Sequence, residues 1–248
     1  MTPLPESETS LRVATWNIHD ARGADGQRDL DRVGRVLGQL RAPLIGLQEL
    51  RCGAGEDDAA DLARRLGYGW FASETRRHAD AQHGNALLTS LPIEGTRVHD
   101  LSIAHREPRA ALEANIRWQG RHLRVVVTHL GLRAGERRKQ VERLLAQLPP
   151  DDGAITILLG DINEWWLWGR PLRWLHRRFG MSPSLRSYPA RAPFFALDRV
   201  WVSPPWTVST IDILRGPGAR TASDHLPVIA TLRLPATIPG PARNLDPP

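Results

Sequence analysis

The chain has 248 residues, one cysteine (Cys52) and a formal net charge of +6, so it can bury a large core and has no internal disulfide, which fits a reducing cytosol. No run approaches the roughly 20 apolar residues that span a bilayer, and Met1 to Ser10 lacks the basic start and apolar core of a signal peptide, so a soluble cytoplasmic protein, at most peripheral to the inner membrane, is expected. Lys139 is the only lysine; the arginine-rich balance favours phosphate-rich partners or reflects the codon usage of a GC-rich genome.

Residues 1–10 read as a disordered lead, 11–234 as one domain, and 235–248 as a proline-rich tail that extends or frays. Apolar and β-branched runs bounded by turn signals predict strands at Leu11–Thr15, Leu44–Leu47, Trp70–Ala72, Ala86–Thr89, Ala111–Trp118, Leu123–Thr128, Ile155–Leu159, Val200–Val202, Val208–Leu214 and Val228–Leu232. Gln119-Gly120 reads as a hairpin turn. Helical spacing marks Leu30, Val33, Val36, Leu37 and Leu40, then Leu62 and Leu66 ending at Gly67. It returns at Val141, Leu144, Leu145 and Leu148, stopped by Pro149-Pro150. Pro171 and Gly180 bound a fourth helix with Leu172, Leu175 and Phe179 on one stripe and Trp168 extending it backward as core. Many strands and few helices in mixed order predict two sheets packed face to face with helices outside, an α/β (α+β) sandwich.

Polar residues cluster at the ends of these runs: Asn17 in Thr15-Trp16-Asn17, Glu49 in Leu47-Gln48-Glu49 and His129 in Thr128-His129-Leu130. Asp161 and Asn163 follow in Gly160-Asp161-Ile162-Asn163, Asp198 in Leu197-Asp198-Arg199, and Asp224 and His225 in Ser223-Asp224-His225. A single strand-end carboxylate is ordinarily a solvated turn residue or a helix cap. Several brought together repel, so one must be protonated or a cation must sit among them. Carboxylate and amide oxygens suit a hard cation, Mg²⁺ or Mn²⁺, and the chain has no HExxH or paired CxxC for zinc.

The six motifs, in this order from Thr15 to Val228, resemble the endonuclease/exonuclease/phosphatase superfamily of metal-dependent phosphoesterases. The resemblance implies a four-layer α/β/β/α sandwich of two mixed sheets and hydrolysis of a phosphate ester by in-line attack of water. It implies Glu49 as principal metal ligand with Asn17 and Asp224 beside it, directly or through water. It further implies Asp161 as the base on the attacking water, with Asn163, His129 and a protonated His225 donating to the phosphate and Asp198 holding the other nitrogen of His225.

Two further segments resemble parts of the superfamily and offer Asn85 and Arg109 as phosphate contacts. A turn asparagine and a surface arginine are the ordinary alternatives. Trp165 and Trp174 fall in a tryptophan-rich stretch directly after Asn163. Trp174, with Arg170, Arg177 and Arg178 at helical spacing, reads as an interfacial patch for an anionic membrane, a stacking platform for a single strand, or a wall over a small substrate. The expected protein is a monomeric Mg²⁺-dependent phosphodiesterase or phosphomonoesterase acting on a lipid-derived or other small phosphate ester. The alternatives are a DNA or RNA nuclease and, from another class, a catalytically silent binding protein.

Overall fold

The computed structural model describes residues 10–52, 57–78, 81–149 and 152–233. The predicted lead and tail therefore lie largely outside the described residues. Two mixed sheets stack face to face. In the six-stranded sheet, β1 (Ser10–Asn17) lies between β2 (Leu44–Arg51) and β11 (Val228–Arg233); β4 (Ala81–Thr89) and β3 (Gly69–His78) extend it beyond β2, and β10 (Thr207–Ile213) beyond β11. The second sheet runs β5 (Ile93–Asp100), β6 (Ala110–Trp118), β7 (Arg121–His129), β8 (Ile155–Asp161) and β9 (Asp198–Val202). Parallel pairing joins β1 to β2 and β7 to β8; the other neighbours are antiparallel.

The period of two along each strand divides apolar residues between two cores. Leu11, Val13, Leu44 and Leu87 from the first sheet meet Leu112, Val125, Val127, Ile157, Leu159 and Val200 from the second. The opposite face of the first sheet, with Trp16, Ile45 and Leu47, packs under helices α1 (Leu30–Leu40), α2 (Asp58–Leu66) and α5 (Pro217–Ala222). The outer face of the second sheet, with Val126, Leu158 and Trp201, packs under α3 (Ala134–Gln147) and α4 (Arg170–Phe179). The result is the predicted four-layer sandwich. Asp29 and Asp57 cap α1 and α2 by accepting backbone N–H bonds from Arg32 and Ala60.

Two elements escape the periodicity reading. β5 is largely exposed; it is an edge strand held by its ladder to β6 rather than by an apolar face. α5 has six residues, too few to show a helical period. The backward extension of the α4 stripe also fails. Gly169 is the N-cap of α4, its N–H closes a turn on the Trp166 carbonyl, and Trp168 is 70% exposed instead of lying in the core.

Gly160 immediately precedes Asp161 and has φ +147°, and a Cβ there would lie 1.9 Å from the Thr128 carbonyl of the neighbouring strand. Gly160→Ala should therefore destabilise the fold by about 2–4 kcal/mol through backbone strain and overpacking. Gly38, in α1 with nothing within 4 Å of its Cβ position, should respond with the opposite sign: Gly38→Ala should stabilise by about 0.5–1 kcal/mol. Urea unfolding of the two variants beside the parent measures both.

Candidate active site

Alternation places Asn17, His129, Asp161 and Asp198 on the inner faces of their strands, and each stands where its strand reaches the same end of the sandwich. Glu49 arrives differently. The β2–β4 register shifts between Gln48 and Leu50, leaving Glu49 as the extra residue of a bulge with φ +56°. The bulge sends Leu50 into the helix-covered core and turns Glu49 inward. Asn17 Nδ2 then bridges Glu49 Oε1 at 3.0 Å and Asp161 Oδ2 at 3.2 Å, while its Oδ1 accepts the His19 N–H at 3.0 Å.

The Ser-Asp-His turn is fixed by its serine. Ser223 Oγ donates to the Asn17 carbonyl at 2.7 Å and accepts the His225 N–H at 3.1 Å. Trp16 Nε1 donates to the His225 carbonyl at 2.9 Å from beneath the sheet. His225 is thereby directed across to the second sheet, where its Nδ1 meets Asp198 Oδ2 at 2.8 Å and its Nε2 lies 3.7 Å from Asp161 Oδ2. Ser187 Oγ donates to the same Asp198 oxygen. Burial by itself would lower the imidazole pKa, but the carboxylates of Asp198 and Asp161 override it and raise it to about 10. Asp161 moves up to about 6, first because it is buried and then because Asp198 is close, against the opposing pull of His225. His225 is thus held as an imidazolium at neutral pH beside the buried carboxyl of Asp161.

His129 is set from behind. Arg109 Nη1, which can only donate, lies 2.9 Å from its Nδ1, and the Asn163 amide nitrogen, also a donor, faces its Nε2. That Nε2 lies 3.5 Å from Asp161 Oδ2 and 3.7 Å from Glu49 Oε1. Asn163 Nδ2, 3.0 Å from the same nitrogen, donates to the Leu130 carbonyl at 2.9 Å. The Asn163 N–H donates to Asp161 Oδ1 at 2.9 Å.

Asp161, Asp198 and His225 offer ligating atoms within 4.8 Å of one another. An imidazolium bonded to Asp198 does not ligate a metal, however. A hard cation fits the other side of Asp161 better, where the carboxylate of Glu49 is partly open to solvent and faces the same amide. Asn17 would have to turn its oxygen from the His19 N–H to be a direct ligand. Asp224 stands at the rim, 40% exposed at its side chain, with Oδ1 3.5 Å from His19 Nδ1.

The remaining predicted contacts are placed less directly. Asn85 is a mid-strand residue of β4 rather than a turn residue, and its Nδ2 donates across the sandwich to the Ala110 carbonyl at 3.1 Å. Arg109 is buried rather than a surface arginine and pairs with His129 and Glu107. Trp165 lies beside the site: its ring meets Phe195 at 4.7 Å and Tyr188 at 6.0 Å, and Tyr188 packs on His225 at 4.7 Å. Trp174 does not join it. It is half-buried against the core under α3 and α4, and neighbouring Arg178 donates to the Pro149 carbonyl, so the predicted Trp174 patch is in part a packing surface.

Tyr188 and Ser187 come from a loop with no spacing signal, and sequence reasoning assigned neither a role. Nor did it find the buried pair of Arg137 and Glu164, joined by two bonds of 3.2 Å. The nearness of Glu164 to Asn163 was the available signal.

The family model of the endonuclease/exonuclease/phosphatase family matches residues 14–225. The uncharacterized Escherichia coli protein YbhP is 28% identical over 94% of this chain and its own full length. An endonuclease/exonuclease/phosphatase structure from Beutenbergia cavernae superposes with a TM-score of 0.76 at 22% identity, over 91% of this chain and 72% of that one. A mannosyl-6-phosphatase from Bacteroides thetaiotaomicron does so with 0.70 at 16% identity, over 90% and 99%. With the motif residues from Asn17 to His225 inside the matched region, the chain belongs to the endonuclease/exonuclease/phosphatase family, whose members are hydrolases of phosphate esters.

Proposed function

We propose that this chain is a divalent-metal-dependent hydrolase that cleaves a lipid-derived or other small phosphate ester by in-line attack of water, as a phosphodiesterase or phosphomonoesterase. The observation that carries the reading is the buried Asp198–His225–Asp161 arrangement. It sets a cation and a proton acceptor side by side at the mouth of the sandwich. Phosphoryl transfer asks for positioning and charge neutralisation more than for covalent help.

Asp161 Oδ2 orients the attacking water and takes its proton. His225 donates from Nε2 to a non-bridging phosphoryl oxygen, and Asp198 keeps that imidazole charged and aimed. His129, whose Nε2 faces Asp161 and Glu49, is a second contact for the phosphate. The Asn163 N–H bond to Asp161 Oδ1 holds the carboxylate in orientation. Glu49, with Asn17 and Asp224 beside it, would hold Mg²⁺ or Mn²⁺. When bound, that ion supplies charge stabilisation to the phosphoryl group and its leaving oxygen. The wall of Trp165, Tyr188 and Phe195 beside His225 supports a compact or lipid-derived ester. Cleavage of nucleic acid is the alternative within the family's range.

Turnover of a substrate panel spanning phospholipids, sugar phosphates, nucleotides and oligonucleotides should require Mg²⁺ or Mn²⁺ and stop in EDTA. Full activity of protein shown by elemental analysis to be metal-free would overturn the reading. Metal at about 100 times its dissociation constant should also stabilise the fold by roughly 2.7 kcal/mol, read from unfolding curves.

Asp161→Asn and His225→Ala should each lower turnover by about 10²-fold or more. Glu49→Gln should raise the metal concentration needed for half-maximal activity. Near-parental turnover by folded Asp161→Asn would remove the base from the mechanism.

The folded pKa of His225 is raised from 6.5 to about 10. Its stabilising contribution is therefore complete below pH 6.5 and is lost as pH rises through about 10. In metal-free protein, NMR of the ring nitrogens should show His225 protonated well above neutrality. Asp198→Asn should bring that midpoint down toward 6.5.

A further inference from the structure

Three loops at the mouth of the site carry large apolar side chains into solvent: Leu132 at 62% exposure, Trp166 at 59%, Leu167 at 62%, Trp168 at 70% and Phe194 at 65%. The loops are tied to one another and to the site. Arg137 Nη1 donates to the Leu132 carbonyl at 2.6 Å, and the same guanidinium grips Glu164, whose Oε1 accepts the Trp166 N–H at 3.3 Å. Trp165 meets Phe195, Phe195 meets Phe194 at 5.1 Å, and Tyr188 completes the wall against His225. The exposed tips are the outer edge of that wall.

We infer that this rim docks the protein on an anionic lipid surface, with Trp166, Leu167, Trp168, Leu132 and Phe194 entering the interfacial layer. Charge complementarity selects that occupant. Across residues 130–133, 164–170 and 181–195 the acidic residue is Glu164, buried and paired with Arg137, whereas Arg133, Arg170 and Arg186 are exposed. Arg186 lies over the Phe194 ring at 5.5 Å, so cation and apolar tip present together. Tryptophan and arginine suit the headgroup boundary. A single nucleic acid strand fits less well, because leucines offer no stacking face and the Trp166 and Trp168 rings pack against each other at 5.4 Å. This rim replaces the Trp174 face as the membrane-facing element. It stands apart from the hydrolytic reading, since docking requires neither metal nor turnover.

The test is co-sedimentation, in EDTA, of the full chain with phosphatidylglycerol/phosphatidylcholine vesicles and with pure phosphatidylcholine vesicles. Binding should favour the anionic vesicles and weaken with salt. The triple variant Trp166→Ser/Leu167→Ser/Trp168→Ser should lose at least about tenfold in affinity. Arg133→Gln, Arg170→Gln and Arg186→Gln should each lose about fivefold. Melting temperature and hydrolysis of a soluble ester should be unchanged. The single arginine variants keep the test open if the triple variant does not fold. Absence of vesicle binding by the parent, or parental binding by folded variants, overturns the inference. So does loss of oligonucleotide binding in place of vesicle binding, or a self-associated parent that the triple variant makes monomeric.

Discussion

Asp161 and Asp198 are paired directly across adjacent antiparallel strands β8 and β9, and both are buried. Like charges facing each other on a sheet are unfavourable, and burial makes Asp161 harder to ionise. The rest of the site follows from how this is resolved. His225 comes from the turn that leads into β11 of the other sheet and lies between the two carboxylates as their cation. The same contact joins the two sheets at this end. Removing either carboxylate therefore changes both the chemistry of the imidazole and the closure of the sandwich.

The fold delivers these groups through two separate devices. Regular alternation is sufficient for Asn17, His129, Asp161 and Asp198, because each shares the inner parity of its strand with residues of the central core. Glu49 needs an irregularity. In an unbroken β2 its side chain would share a face with Ile45 and Leu47 under the helices. The bulge and the left-handed backbone reverse that, and a backbone held in a sparsely populated region at a functional site is strain retained for a purpose. Glu49 Oε1 and Asp161 Oδ2 then share the Asn17 amide, while His225 Nε2 also approaches Asp161 Oδ2.

Outside this centre the loops rely on a buried ion pair. Arg137 and Glu164 satisfy each other through two bonds, and the guanidinium also takes the carbonyls of Gly131 and Leu132. Such a pair contributes positional definition more than net stability, because desolvating two charges offsets much of their attraction. Here it links the loop after His129 to the loop after Asn163. His129, Asn163 and the apolar side chains beyond them are thereby fixed relative to one another.

By itself, the sequence determined the layers and most of the strands, because period-two and helical patterns are local and both central and outer cores obey them. It also determined the identity of the polar centre, since Asn17, Glu49, His129, Asp161, Asn163, Asp198 and His225, with Asp224 at its rim, stand at ends of apolar runs in a distinctive order. Edge strand β5 and the six-residue α5 were illegible for the converse reason: their stability comes from ladder pairing and from packing on neighbours, not from a pattern of their own. Tertiary structure alone decided which atoms meet. It gave Arg109 to His129 rather than to solvent, gave Asn85 to the opposite sheet, exposed Trp168 and half-buried Trp174. It also brought Tyr188 against His225 from more than thirty residues away. Those outcomes depend on register, bulges and the stacking of two sheets, which are properties of distant segments in contact and leave no periodic trace in either one.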